Sequence, residues 1–437
     1  MVEMVLQSSL YLVYGAGIFA CLMALFGKVE WALTLVVVLF PLRNVIDKLQ
    51  VLPGGRSFVN ILFIFIIVGW VVNALSRREA MFKPSGMNVV LFLFGLYICF
   101  SFVRGYGYLA SVSQFQLDDT RLQLVKNFLM LPLLFFMVFN NVRDEKMVWQ
   151  VVLIICATMV VMDYYTVRQI LWFNNIESRV KINSTFSYLG PNEIAAFYNQ
   201  YTILLCSLLF ALRHKLLKLI LIGIIAANIF CVLFLYSRAA YIALVAGLGF
   251  LFLFKKRWLL IPLVLLCLFW QSFLPAKVQD RINMTTNEYG ELDKSNMGRI
   301  TVWNESLEIF RQNPVVGAGF GVFGYLGFEL RDTHNIYLKV LAEQGVIGMF
   351  IFLLVLGTMF WQGIKLFDKG RDDISKCLGI GFAACMVTLI FNNMFGDRWT
   401  YTEVSSTLWV FLALVCRLNY LSVNKNIKPK TQKLYNA

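Results

Sequence analysis

His334 is one of only two histidines in the chain, and it stands directly before Asn335 and an apolar run that begins near Ile336. A neutral imidazole at the mouth of a helix can take a proton from a hydroxyl. Its counterpart His214 lies in the basic stretch RHKLLK and reads as a solvated loop residue. Arg238, in Tyr236-Ser237-Arg238-Ala239-Ala240, falls between two apolar runs with almost no loop to hold it in water. A charge at the centre of a membrane costs about 2.5 to 3.5 kcal/mol on insertion scales and marks a functional site by default. The plainer reading is an arginine that snorkels to the headgroups. Arg299 opens a helical pattern in Gly298-Arg299-Ile300-Thr301-Val302-Trp303, where alone it reads equally well as a solvated helix charge. Planar guanidinium forks match the oxygens of a diphosphate and can hold it without a metal. His334, Arg238 and Arg299 are therefore the expected catalytic residues. Arg121, Lys126, Lys181 and Asn192 are expected to extend the substrate-binding surface, and Asp397 and Arg398 to pair with each other.

The motifs that are missing narrow the chemistry. The chain has no GxxxxGK[ST], HExxH or GxSxG, and its Asp372-Asp373 pair falls in a loop expected on the opposite side. No metal and no cofactor is expected. All nine cysteines lie within apolar runs or at their edges and form no CxxC, so neither a disulfide framework nor a zinc site is expected.

The elements that must position these residues are membrane helices. Of 437 residues 59% are hydrophobic, the mean hydropathy is +0.70 and only 15% are charged, outside the range of soluble domains. Apolar runs long enough to span ~30 Å of hydrocarbon recur throughout, too long and uniform for barrel strands. The opening MVEMVLQSS carries an acid and no cleavage site follows, so the first span is expected to be retained. The runs predict an all-α, polytopic transmembrane bundle of 12–13 spans; the second run, 31–46, is cut by Pro41 and reads as a short or half-inserted helix. Residues 1–274 are expected to hold ten transmembrane helices, 275–335 a long polar loop, 336–420 the C-terminal transmembrane helices and 421–437 a basic tail. Within the loop, Ile300, Trp303, Leu307 and Phe310 recur at helical spacing with Asn296 as a possible cap, predicting an amphipathic helix ended by Pro314 and Gly317.

Orientation follows from the +14 net charge, which is gathered in alternate loops: Arg77, Arg78 and Lys83; Arg143 and Lys146; Arg213 to Lys218; Lys255 to Arg257; Lys365 to Lys376; and the tail. The positive-inside rule makes these cytoplasmic. His334, Arg238 and Arg299 then lie on the other face. No nucleic-acid partner is expected.

Arg299 to Trp303, the turn Pro314-Val315-Val316-Gly317-Ala318-Gly319-Phe320-Gly321, and His334-Asn335 followed by nine residues, Gly345 and Gly348 resemble the signature of the O-antigen ligase and polymerase superfamily. The Tyr236-Ser237-Arg238-Ala239 corner and the stretch from Ser184 to Glu193 are similar to its other recurring segments. The resemblance implies a glycosyltransferase of the bacterial inner membrane, with a periplasmic active site, that takes a glycan from undecaprenyl pyrophosphate. The acceptor implied is a lipid A core sugar in the ligase branch and the end of another lipid-linked repeat in the polymerase branch. Trp303 and Asn335, inside these segments, join the expected substrate-binding residues. In the implied mechanism His334 deprotonates the acceptor while Arg238 and Arg299 hold the diphosphate; His334 as a phosphate-positioning residue is the alternative. The rival of another class is a transporter of lipid-linked glycans or anions, which would carry charges at mid-depth and internal repeats.

Overall fold

The computed structural model describes residues 2–109, 120–172, 186, 189–284, 294–326 and 332–432. The described residues contain helices and turns and no strand. The helices are α1 Val2–Leu25, α2 Val29–Leu39, α3 Arg43–Leu49, α4 Phe58–Arg77, α5 Asn88–Tyr108, α6 Thr120–Asn141, α7 Glu145–Trp172, α8 Pro191–Leu209 and α9 Lys215–Phe234. They continue as α10 Arg238–Lys255, α11 Leu260–Leu268, α12 Trp270–Phe273, α13 Ala276–Asn283, α14 Lys294–Gln312, α15 Ile336–Lys369, α16 Asp373–Asn393 and α17 Thr402–Gln432. The chain is a multi-pass helical membrane protein.

A helix stands at every one of the 12–13 expected runs, and among the described residues nine helices are long and apolar enough to cross, or ten if the bent pair α2 and α3 is one span. Four expected runs fall outside the nine: α1, whose apolar stretch among the described residues is Leu10–Leu25, and three others. α8 is long enough, but its first half, PNEIAAFYNQYT, is polar, and Ile194 to Leu205 are all buried inside the protein, where hydropathy is not what matters. The run after Arg257 is apolar only as far as Leu268 and breaks at Phe269. The run cut by Pro41 bends by 108° between α2 and α3.

α8, α16 and α17 form the centre, with α10, α15, α6 and α9 packed around them. Small residues permit the closest approach: a Cβ on Gly363 of α15 would lie 2.8 Å from the carbonyl oxygen of Gly379 on α16. In lipid the apolar surface is solvated either way, so such backbone-to-backbone fit rather than exclusion of water holds neighbouring helices together.

The loops sort by contact into two ends. At one end the Arg371 guanidinium meets the Glu145 carboxylate at 3.3 Å and Arg417 donates to the Arg143 carbonyl at 2.9 Å. These are the loops expected in the cytoplasm. At the other end Arg43 reaches Glu403 at 3.6 Å, Lys339 reaches Asp397 at 2.8 Å and Arg398 pairs with Glu193. Arg398 donates to the Asp397 backbone carbonyl at 3.2 Å but pairs its charge with Glu193, because the buried Asp397 carboxylate is filled by Lys339, Thr400 and the Trp399 and Thr400 amides.

The amphipathic helix is present as α14, with a different buried face. Val302, Ser306 and Ile309 are buried, whereas Ile300 is 39% exposed and Trp303, Leu307 and Phe310 are half-buried. The stripe is rotated because α14 packs on α15 and on a small cluster with Ala318, Val322, Phe323 and Ala342, not on a flat membrane face.

Candidate active site at the kink of α15

α15 begins at the residue after Asn335, whose side chain accepts from the amides of Tyr337 at 3.0 Å and Leu338 at 3.2 Å and so caps the helix. The imidazole directly before this cap is held at a positive φ of 51°, a region sparsely used by non-glycine residues. Two contacts fix that turn. The Thr333 hydroxyl donates to the Asn335 carbonyl at 2.8 Å, and the Trp303 indole N–H donates to the Thr333 carbonyl at 3.0 Å. One turn before Trp303 on α14 is Arg299, so the bond that anchors the His334 loop also brings in the arginine.

Two turns further along, α15 breaks at Gly345, with φ 65° and ψ −166°. The break frees two carbonyls and two amides, and the Pro314-to-Gly319 turn takes all four: Ala318 N–H to Ala342 at 2.9 Å, Gly319 N–H to Glu343 at 2.7 Å, Val346 N–H to Pro314 at 2.9 Å and Ile347 N–H to Val315 at 3.2 Å. Buried backbone groups must be paired in a membrane protein, so turn and kink require each other. The two spaced glycines of α15 serve different neighbours. Gly348 faces α5, where its Cβ would lie 2.8 Å from the Tyr97 ring, whereas Gly345 admits the turn. Arg104 at the end of α5 secures the turn from outside, donating to the Gly317 carbonyl and to Asn313.

The charges that act most on His334 are Asp332, Arg299, Arg398 and Glu193. The Asp332 carboxylate lies 3.5 Å from its Nδ1. Burial, reinforced by the two arginines and opposed by Asp332, holds the imidazole below its ordinary pKa. The shift favours the neutral imidazole, the form that can accept a proton. Lys339 bridges two carboxylates, Asp397 at 2.8 Å and Asp332 at 3.8 Å. Burial raises the Asp397 carboxyl, but the Lys339 charge and the Lys339 and Thr400 hydrogen bonds outweigh it and hold the group below the usual carboxylate range. Beside these groups opens a cavity of about 360 Å³, lined among others by Asp332, Lys339, Glu343, Tyr325 and Tyr401.

The expected site residues divide. Arg299, Trp303 and Asn335 meet at the His334 loop. Asn335 spends its side-chain oxygen on the cap. Arg238 begins α10 and donates to the Met284 carbonyl at 2.9 Å, beyond α13, and is not among the charges that weigh most on His334. Arg121 is buried, its guanidinium 4.0 Å over the Tyr106 ring and 5.2 Å from that of Tyr325 at the cavity wall. Lys126 is exposed on α6, and Asn192 is half-buried in the first turn of α8 beside Glu193. Lys181 lies outside the described residues. Asp332, Lys339, Glu343 and Arg104 were not foreseen. A signal was available for two of them: Lys339 and Glu343 are four residues apart in an otherwise apolar helix entrance, where ionisable groups are rare.

Comparison with known proteins matches residues 221–353 to the family described as O-Antigen ligase. The chain is 26% identical over 148 residues to the exopolysaccharide production protein ExoQ of Rhizobium meliloti (strain 1021), covering 30% of this chain and 33% of that protein. It is 24% identical over 157 residues to the teichuronic acid biosynthesis protein TuaE of Bacillus subtilis (strain 168), covering 34% of this chain and 30% of that protein. The alignments thus span about a third of either relative's length. The matched segment includes Arg238, α14, the Pro314 turn, the His334 loop and the kink. Residues 221–353 of this chain are accordingly similar to the O-Antigen ligase family, in support of the resemblance read from the sequence.

Proposed function

We propose that the protein is a membrane glycosyltransferase that moves a glycan from an undecaprenyl-pyrophosphate donor to an acceptor hydroxyl on the periplasmic face of the inner membrane, without a metal. The carrying observation is a half-buried imidazole, held below its ordinary pKa and under the charges of Arg299 and Arg398, at the end of the bundle opposite the basic loops. His334 takes the acceptor proton, and Arg299 holds the diphosphate and the charge that grows on it, with Arg238 serving the same anion from the α10 corner. The ligase reading names a lipid A core sugar as acceptor. A polymerase reading, in which the acceptor is another lipid-linked repeat, is favoured by the names of the two relatives, both concerned with extended polysaccharides.

Reconstitution tests both. Purified protein in liposomes receives lipid-linked oligosaccharide with either a core acceptor or a second lipid-linked repeat. Transfer without nucleotide is expected; a single adduct marks the ligase and a ladder the polymerase. Counterflow of the donor across the bilayer with no covalent product would establish the transporter instead.

A further inference from the structure

The cavity meets His334 through Asp332, which lines it and lies 3.5 Å from the imidazole Nδ1. Three acidic side chains line the cavity, Asp332, Glu343 and Glu403, with one ammonium, Lys339; Glu403 is met by Arg43 at 3.6 Å and Lys339 by Asp397 at 2.8 Å, which leaves Asp332 and Glu343 as the acidic pair facing the cavity. Tyr325, Tyr401 and Thr400 add hydroxyls, and Phe128 with Phe320 gives an aromatic floor, the two rings 5.3 Å apart. Its size of about 360 Å³ is at the small end of the ~300–1,000 Å³ of small-molecule sites. Carboxylates accept charge-assisted hydrogen bonds from hydroxyl or ammonium donors and repel anions, while aromatic faces suit the apolar face of a sugar ring. A diphosphate is refused here and drawn to the arginines.

Asp332 belongs to both places. One oxygen lies 3.5 Å from His334 Nδ1 and the other 3.8 Å from Lys339, and the side chain lines the cavity. A carboxylate at Nδ1 favours the tautomer with its proton on that nitrogen and leaves the Nε2 lone pair for the acceptor.

We propose that this cavity is the acceptor subsite, that it takes an uncharged or amino-bearing terminal sugar in preference to an acidic one, and that Asp332 positions the imidazole. This rests on the glycosyltransferase reading above. The acceptor hydroxyl gives its proton to Nε2, its oxygen bonds to the anomeric carbon of the donor glycan, and the bond from that carbon to the diphosphate breaks. The leaving electron pair stays on the lipid diphosphate beside the arginines.

The test uses the full-length protein in liposomes with one lipid-linked donor and three synthetic acceptors ending in a neutral hexose, an amino sugar or a uronic acid. The uronic acid is expected to show an acceptor KM at least about tenfold higher than the neutral sugar. Glu343→Gln should narrow that gap and leave the donor KM unchanged; Tyr325→Phe, which keeps the ring, provides a milder variant that should raise only the acceptor KM. Asp332→Asn should lower kcat at least about tenfold and move the acid limb of kcat to lower pH, because the carboxylate that favours the imidazolium is gone. Variants that alter the donor KM alone, or a wild type indifferent to acceptor charge, overturn the subsite. An unshifted acid limb in Asp332→Asn overturns the positioning role. If the wild type consumes no donor at all, the glycosyltransferase reading falls and the subsite with it, whereas consumption with the wrong acceptor pattern sinks the subsite alone.

Discussion

Replacing Gly345 by alanine tests whether the break in α15 organises the site. At φ 65° and ψ −166° the backbone is in a region used almost only by glycine, and holding another residue there costs of order 1–3 kcal/mol. A Cβ would also sit 2.4 Å from the Val315 carbonyl oxygen and 2.6 Å from the Val316 amide nitrogen, neither of which is a flexible side chain that could step aside. The turn must back away, loosening four backbone hydrogen bonds worth roughly 0.5–1.5 kcal/mol net each. Some relax rather than break, so a total loss of about 3–5 kcal/mol is expected. The control is in the same helix: Gly357 has nothing within 4 Å of an added Cβ, and Gly357→Ala should be neutral or stabilising by up to ~1 kcal/mol. Thermal unfolding of both variants in detergent, followed by tryptophan fluorescence, gives the comparison. Transfer activity should fall with Gly345→Ala even well below its Tm, since Glu343 and Phe320 sit on the two segments that separate. A Gly345→Ala protein within 0.5 kcal/mol of wild type, about the scatter of neutral surface substitutions, would refute the reasoning.

Three further outcomes follow from the charges. With His334 held below its ordinary pKa, kcat should be flat through neutral pH and fall only below the usual histidine range near 6.5; Arg299→Gln removes a charge that disfavours the imidazolium and should move that limb upward in a pH–rate series. Arg299→Lys should remain impaired in steady-state transfer, since an ammonium cannot reproduce a bidentate fork, and full activity would remove the bidentate role. Asp397→Asn strips Lys339 of its closest partner and should cost about 3–5 kcal/mol in unfolding free energy, while adding Lys339→Met should recover part of it. A double variant no more stable than Asp397→Asn would show that the pair is not the unit.

The helical bundle could be read from residue order because lipid enforces it: an apolar run must satisfy its own backbone, so each run becomes a helix whatever its neighbours do. His334 stood out for a related reason, since a titratable group at the edge of an apolar run is conspicuous, whereas Arg299 lies in a polar helix and stood out only in company with it. What residue order hides is pairing. Arg398 was assigned to Asp397, its neighbour in sequence, yet it finds Glu193, 205 residues away, because α8 and the loop before α17 meet only in the folded bundle. Arg238 was grouped with His334 from its place between two apolar runs, and in the fold it donates to the Met284 carbonyl beyond α13. At α8 residue order predicted a helix that hydropathy alone passes over: a helix enclosed by other helices need not be apolar, so a scale built for lipid exposure misreads it.

One geometric argument links these observations. A helix that continued straight through Gly345 would carry Lys339 and Glu343 into the bundle on one rigid rod and would give the Pro314 turn nothing to bind. Because the rod breaks, its freed carbonyls seize the turn, the turn carries Phe320 and Gly321 to the cavity wall, and α14, which leads into the turn, sets Trp303 against the His334 loop. Arg104 guards the same joint by holding Gly317 and Asn313 from α5. The joint lies about two turns from the imidazole, so its disruption should cost catalysis and stability together. Variants such as Asp332→Asn, which change charge and leave the joint intact, should cost catalysis alone, and that contrast separates a residue that acts on the proton from one that merely holds the fold.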